Sequence, residues 1–453
     1  MLKVIPKLIL SGSFGLALSF PALSADVYGP FPITVKGYSG DKVNSVSYTG
    51  QIARHVLHDS LKKISGTKQN TNIKQLSLNK MMPYYTGSTN DLDIIAPVSK
   101  GDFIIKQSTV NEISKGKNLS GKTFKGSING WPGGMNGVEV LDHMINKAAE
   151  NGTSFDPNTG YNYPQLISKF AMGAVFYNQA VDNYLDEKLG PDNKPNDKPY
   201  KAGAYYTGKE HVWDEAFGYW GAAAHSLNLT AEQNYNITKM KDFSAADYNG
   251  DGVVDLKSEF NFAHAYYAAS YDKGGKTGYF KTITQAFVDG RKIITSANGE
   301  VLSSSQRSKL YSLRDIIAKN WEKVIAESVF KYAGSVYKDI DKLQVIVEAN
   351  GDTSKTFSTY GKHWGELKGF ALALQCGKNN LGDTSTQLNR MIGFGPVLLN
   401  LSQVSGVDSN GNFTFGKSSG LDEYKLQMLK IQKLMVDVFD VKARSNDQLA
   451  NLN

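Results

Sequence analysis

Residues 210–221 read EHVWDEAFGYWG and crowd one histidine, three carboxylates and four aromatics into about three helical turns. His211 stands three residues before Asp214 and four before Glu215, so on a helix the three share a face. Trp213, Phe217 and Trp220 follow at spacings of four and three, the pattern of a buried seam. Ionisable groups beside such a seam are costly unless they are paired or bind a metal. Residues 359–375 hold a second such pattern, where His363 and Glu366 lie three apart in GKHWGELKGFALALQ. Imidazole with carboxylates suits iron or zinc, and facing helices commonly build such sites from inward side chains. His211, Asp214, Glu215, His363 and Glu366 are therefore the candidates for a metal or ligand site. The competing reading is a set of buried salt bridges that fix helix register. The residues alone leave both open.

A third pattern lies at residues 247–259, DYNGDGVVDLKSE. Asp247, Asn249, Asp251 and Asp255 occupy offsets one, three, five and nine of a calcium loop. Val253 supplies a carbonyl at offset seven, and Gly252 allows the sharp turn at six. Offset twelve is Ser258, and the acid falls one later, at Glu259. The expectation is a solitary EF-hand-like calcium loop that feeds the next helix.

The elements that must hold these residues are helical. Apolar residues recur at helical spacing over residues 51–64, 137–150, 164–189, 261–272, 280–297, 306–337, 359–375 and 421–439. The 210–221 stretch is expected to continue to residue 224. Residues 68–136 are rich in Ser, Thr, Asn, Gly and Lys and read as a long irregular insertion with one short helix near 75–82. His55 and His58 read as two partly exposed histidines rather than a metal pair, and His264 as a satisfied core histidine. The fold class is all-α, a helical-bundle protein with long irregular loops.

Composition narrows the classes. Lys3 and Lys7, a short apolar run and the small residues 22–25 read as a secretory signal peptide over 1–25. Residues 26–453 follow as a single helical domain, with a division near 275–300 if there are two bundles. No lipobox cysteine stands at the cleavage site, so a soluble periplasmic or secreted protein is expected, with no later span of the membrane. Without the leader the formal charge falls from +7 to +5, and the basic residues are scattered, so no nucleic-acid footprint is evident. The single cysteine, Cys376, excludes an intramolecular disulfide and thiolate-rich zinc sites. Residues 416–420 match G-x-S-x-G, but no histidine follows Ser418 to serve a nucleophile elbow. There is no HExxH, phosphate-binding loop or dinucleotide fingerprint.

The segments YTGQIARHVLHDSL, KFAMGAVFYNQAVDNYL, EHVWDEAFGYWG and DYNGDGVVDLKSE, in that order, resemble the extracytoplasmic bacterial family catalogued as domain of unknown function 4856, and HWGELKGFALAL fits its tail. The resemblance is expected to extend over nearly the whole mature chain. It implies a helical fold and a calcium-type loop, and it carries no settled activity. A more distant likeness is to the imelysin family, helical periplasmic proteins linked to iron uptake and once described as metallopeptidases. Its motif, G-x-H-x-x-E, is matched by Gly361, His363 and Glu366. At the first helix His211 and Asp214 keep the spacing, with Asp for Glu and Lys209 for the glycine. That likeness implies two related bundles, iron or zinc as ligand, and an outer-membrane uptake partner. The leading expectation is thus a calcium-binding accessory or binding protein in metal acquisition. An imelysin-like metallopeptidase, with Glu215 or Glu366 activating a metal-bound water, is the alternative. A structural or surface-interaction protein is the third.

Overall fold

The computed structural model describes residues 27–68, 74–379 and 381–452. The signal-peptide reading of residues 1–25 lies outside them. Thirteen α-helices occur among the described residues. They are α1 (Thr49–Ser65), α2 (Lys74–Thr86), α3 (Gly137–Asn151), α4 (Tyr163–Ala171), α5 (Gly208–Trp220), α6 (Ala231–Thr238), α7 (Phe243–Ala246), α8 (Ala263–Asp272), α9 (Tyr279–Ser296), α10 (Ser304–Glu348), α11 (Ser354–Leu374), α12 (Gly382–Ile392) and α13 (Leu421–Phe439). The chain is mostly helical. The only strands among the described residues form two antiparallel hairpins, β1 (Phe155–Asp156) with β2 (Tyr161–Asn162), and β3 (Ser402–Val407) with β4 (Phe413–Lys417). None of the described helices is long and apolar enough to cross a membrane.

The helix boundaries follow from capping chemistry. Thr207 starts α5 through a capping box with Glu210, and Asn136 starts α3 through one with Glu139. Gly221, at φ +80°, ends α5 in the left-handed conformation. Helix α5 therefore stops at Trp220, short of the expected 224. The expected helix over 164–189 is instead a composite. Helix α4 widens into π-type turns over Met172–Tyr184, and a short 3₁₀ turn follows at Glu187–Leu189. The stripe read from the sequence is nevertheless inside: Leu166, Phe170, Ala174, Tyr177, Val181 and Tyr184 are all buried.

Helix α10, 45 residues long, is the central strut, and packs against α9, α11 and α13. Helix α11 packs against α4, and α5 lies against α9 and the π-type segment. One contiguous apolar core runs from Tyr28 to Val441.

The α4–α11 contact is close because α11 presents glycine there. A Cβ on Gly365 would stand 3.1 Å from the Asn162 carbonyl oxygen, and one on Gly369 would stand 2.5 Å from the Lys169 Cβ. Across the same contact, a Cβ on Gly173 would reach the Ala373 backbone at 2.4 Å. Gly369→Ala should cost about 1–3 kcal/mol, the range for overpacking, read as a lowered urea midpoint with an unchanged slope. An unchanged midpoint would show that α4 can back away freely.

Candidate functional site

The residues picked out on α5 divide between two environments. Glu210 and Asp214 are fully buried and meet Arg291 of α9, itself fully buried. Arg291 donates from Nε to Asp214 Oδ1 at 2.9 Å and from Nη1 to Glu210 Oε1 at 3.1 Å. Asp214 also accepts from the Tyr28 hydroxyl at 2.7 Å and the Ser47 N–H at 3.0 Å. Glu210 accepts from the Thr34 hydroxyl at 2.9 Å and from the Thr207 N–H at 2.8 Å. Burial pushes the Asp214 carboxyl up to about 6, while Arg291, Tyr28 and Ser47 pull it down. With these donors taken, Asp214 is a member of a buried salt bridge.

His211 and Glu215 form a separate pair, with His211 Nε2 3.5 Å from Glu215 Oε2. The imidazole sits against Tyr200 and Tyr206, with ring centroids at 4.1 and 4.6 Å. Burial pushes the His211 pKa down, and the Glu215 charge opposes that. Glu215 also accepts from Gln51 Nε2 at 2.7 Å.

His363 and Glu366 lie elsewhere, on the wall of a cavity of 460 Å³ between α1, α4, α6, α8, α10 and α11. That volume is within the range of small-molecule pockets. Asp339 of α10 holds His363 Nδ1 at 2.6 Å. A carboxylate there only accepts, so Nδ1 carries the proton and Nε2 is left for a ligand. Glu366 is 7% exposed and sets its charge against Lys169 and Lys331. The His211 and His363 side chains thus share no partner. His211 faces the tyrosines of the segment before α5, and His363 faces α10.

The histidines of α1 are buried, not partly exposed. His55 donates to or accepts from no carboxylate; its Nε2 meets the Gly218 carbonyl at 3.0 Å, between Phe176 and Phe262. His58 bridges Asp59, at 2.9 Å, and the Ser168 carbonyl, at 3.0 Å, at the cavity wall. Both were misread because the helical stripe covers only part of a helix that is enclosed on nearly every side. His264 is buried, as expected, but it is not satisfied: neither ring nitrogen has a hydrogen-bond partner.

The loop over 247–259 folds on itself. Asp247 accepts from the N–H groups of Asp251, at 3.1 Å, and Gly252, at 3.0 Å. Glu259 reaches back across the loop to the N–H of Asn249, at 3.3 Å, and that of Asp255, at 2.7 Å. Val254 pairs in parallel with Ile105 where a regular EF-hand would pair with a second loop. Burial and the Asp255 and Asp247 charges push the Glu259 carboxyl up against its two N–H donors. The cation facing these oxygens is Lys106, 3.3 Å from Asp251 and 4.0 Å from Asp255. Among the described residues, no group of three or more His, Cys, Asp or Glu side chains is placed to hold a metal ion, those of the loop included.

The spacing argument missed Lys169, Ser168 and Gln165 of α4, which line the same cavity. Lys169 is 3% exposed, and the Ser168 hydroxyl and the Gln165 Oε1 are buried without partners. The signal was available: Lys169 interrupts LISKFAMGA, a run otherwise apolar or small on all sides, and lysine is almost never fully buried unless paired.

The family model described as Domain of unknown function (DUF4856) matches residues 37–326. The match takes in α1, α4, α5 and the 247–259 loop and ends inside α10, so it covers less of the chain than expected and leaves out α11 with His363 and Glu366. No curated protein matches the chain. No solved structure matches it.

Proposed function

The chain belongs to the Domain of unknown function (DUF4856) family, and on that premise, which carries no activity, we propose that it is an extracytoplasmic, calcium-stabilised helical binding protein whose ligand site is the cavity of His363 and Glu366. The observation that carries the reading is the polar lining without partners. Buried polar groups are normally hydrogen-bonded, yet the Ser168 hydroxyl and the Gln165 Oε1 have no partner and Lys169 has no counter-ion at contact. A small number of convergent polar groups in a concave site is what a small-molecule pocket presents. The packing of α10 with α9, α11 and α13 is the bundle that frames one side of it.

The metal-acquisition reading passes to the same cavity, because Asp214 is committed to Arg291 and His211 is apart from His363. A metal cargo would be met there by His363 Nε2 and Glu366, with the rest of its coordination supplied by the molecule that carries it. A screen of small molecules and metal complexes by thermal shift tests the cavity. Compounds that raise the melting temperature of the parent and fail with Glu366→Gln and His363→Ala support it. If every active compound acts equally on both variants, the cavity is not the site.

The 247–259 loop fits calcium in the chemistry of its donors, which are carboxylate, amide and carbonyl oxygens. An ion bound only to the folded state stabilises it by about 2.7 kcal/mol at a hundredfold excess over Kd. Chelation should therefore lower the melting temperature of the parent, and it should have no effect on Asp251→Ala, whose side chain is 38% exposed and replaceable without disturbing the core. A parent melting curve that ignores calcium and chelator alike would end the calcium assignment.

A further inference from the structure

The lining of the cavity is unequal in charge. Five lysines face it, Lys62, Lys169, Lys239, Lys331 and Lys362, against two carboxylates, Asp59 and Glu366. One carboxylate is already engaged, since Asp59 accepts from His58 at 2.9 Å. The lysines come from four different elements, α1, α4, α10 and α11, and from the residue that closes α6. Convergence from separate elements is not what a solvated basic helix face produces.

Lys169 is the deepest of them. The Gly369 contact pins its Cα to α11, so the side chain cannot withdraw with its helix. Its Nζ lies 5.2 Å from the Tyr267 ring centroid and 5.8 Å from that of Phe370. Among the described residues it makes no ion pair, and the polar group beside it is the Lys62 amine, another cation. An ammonium so enclosed is costly without a counter-ion. Next to it, Ser168 can donate a hydroxyl proton that nothing in the protein accepts.

We infer that the cavity binds a small molecule through an oxyanionic group, a phosphate or a carboxylate, seated between Lys169 and Lys62, with the Ser168 hydroxyl donating to it and the other lysines gathered at the mouth. Charge-assisted hydrogen bonds of this kind are the strong ones. The volume exceeds that of a bare phosphate, so the ligand carries a body as well, for which Tyr266 and Tyr332 offer aromatic surface. Glu366, on the same lining, gives the body a hydrogen-bond acceptor. Burial first, and then the Lys62 charge, hold the Lys169 amine well below the ordinary lysine range in the free protein. An arriving anion reverses that balance, so binding should draw a proton from solvent.

The inference rests on the cavity being the binding site, and its test separates the two. The probes are inorganic phosphate, pyrophosphate and succinate, titrated calorimetrically at low ionic strength in two buffers of different ionisation heat. At least one probe should bind the parent, with net uptake of protons. Lys169→Met should weaken binding about tenfold or more and abolish the proton uptake. Lys362→Glu changes only an exposed residue, so the fold is not at risk, and it should weaken binding about fivefold. Equal affinity for the parent and Lys362→Glu would place any bound anion elsewhere and overturn the assignment. So would a failure of all three anions while a neutral or cationic compound binds and is lost with Glu366→Gln; the cavity would then stand as a site with a different ligand. If no compound of any charge binds the cavity, both readings fall.

Discussion

Arg291→Met should destabilise the fold by about 3–5 kcal/mol, the cost of leaving buried charges unpaired. Two carboxylates depend on this guanidinium, and neither it nor they have access to water. Burial lowers the guanidinium's pKa, but the Asp214 and Glu210 charges outweigh that and raise it above its ordinary value. The network also joins three parts of the chain. Asp214 and Glu210 belong to α5, Arg291 to α9, and Tyr28, Thr34, Ser45 and Ser47 to the extended segment before α1. Losing Arg291 should therefore free residues 27–48 for proteolysis before the helices unfold. The loss should also depend on pH in a definite direction. Asp214 already sits raised, at about 6, with Arg291 opposing the rise. In the variant that opposition is gone, so the folded state binds a proton more readily than the unfolded chain does. The variant's stability then recovers as pH falls through this range, and the gap to the parent narrows. Urea unfolding at pH 7 and pH 5 measures both effects. A gap under about 1 kcal/mol at pH 7, or one that widens at pH 5, would mean that water reaches the pair.

The same network shows what helical periodicity can and cannot read. The seam of Trp213, Phe217 and Trp220 was legible because a helix repeats its face every three or four residues, and all three are fully buried. That Asp214 would be paired was also legible as one of two readings, since a charge beside such a seam needs a partner. The identity of the partner was not, because Arg291 lies 77 residues further along the chain. Periodicity reports that a face is covered and is silent on what covers it. The cavity was lost for the same reason. Its lining comes from six helices, and His363 gave only one wall. Gly365 and Gly369 let α4 approach until Lys169 stands against α11, a use that helical periodicity does not show. The π-type widening after Ala171 likewise leaves no local mark, since its residues are as apolar as those of an ordinary buried helix. The loop over 247–259 was the reverse case. Its pattern is local, and so are its hydrogen bonds, which run from Asp247 to the N–H of Gly252 and from Glu259 to the N–H of Asp255.

His264→Leu should leave the protein as stable as the parent at pH 7, or up to about 1–3 kcal/mol more stable, and markedly less sensitive to acid. A polar-to-apolar change deep in a core usually leaves a partner unsatisfied, but here there is none to orphan. The ring lies among Trp321, Tyr177 and Phe370, at centroid distances of 5.6, 6.5 and 6.5 Å, and neither nitrogen is bonded. Leucine fits such surroundings without a desolvation cost. The acid effect follows from linkage. Burial, reinforced by the nearby His55, His58 and Lys169 charges, holds the His264 pKa well below its ordinary value in the folded protein. As pH falls below about 6.5, the unfolded chain takes up a proton at this residue and the folded state does not, so the parent loses about 1.4 kcal/mol per pH unit. By pH 5 that amounts to about 2 kcal/mol that the variant does not lose. His55, which burial pushes down to about 3, contributes a second loss of the same sign in both proteins. The variant should remain acid-sensitive, and only the difference between the two stability curves isolates His264. That difference should be flat above pH 7 and grow in favour of the variant below pH 6.5. Parallel curves from pH 7 to pH 5 would mean that the folded protein protonates His264 as easily as the unfolded chain does. In that case the imidazole has a partner in solution, most simply a ligand or water reaching it from the Lys169 side of the core.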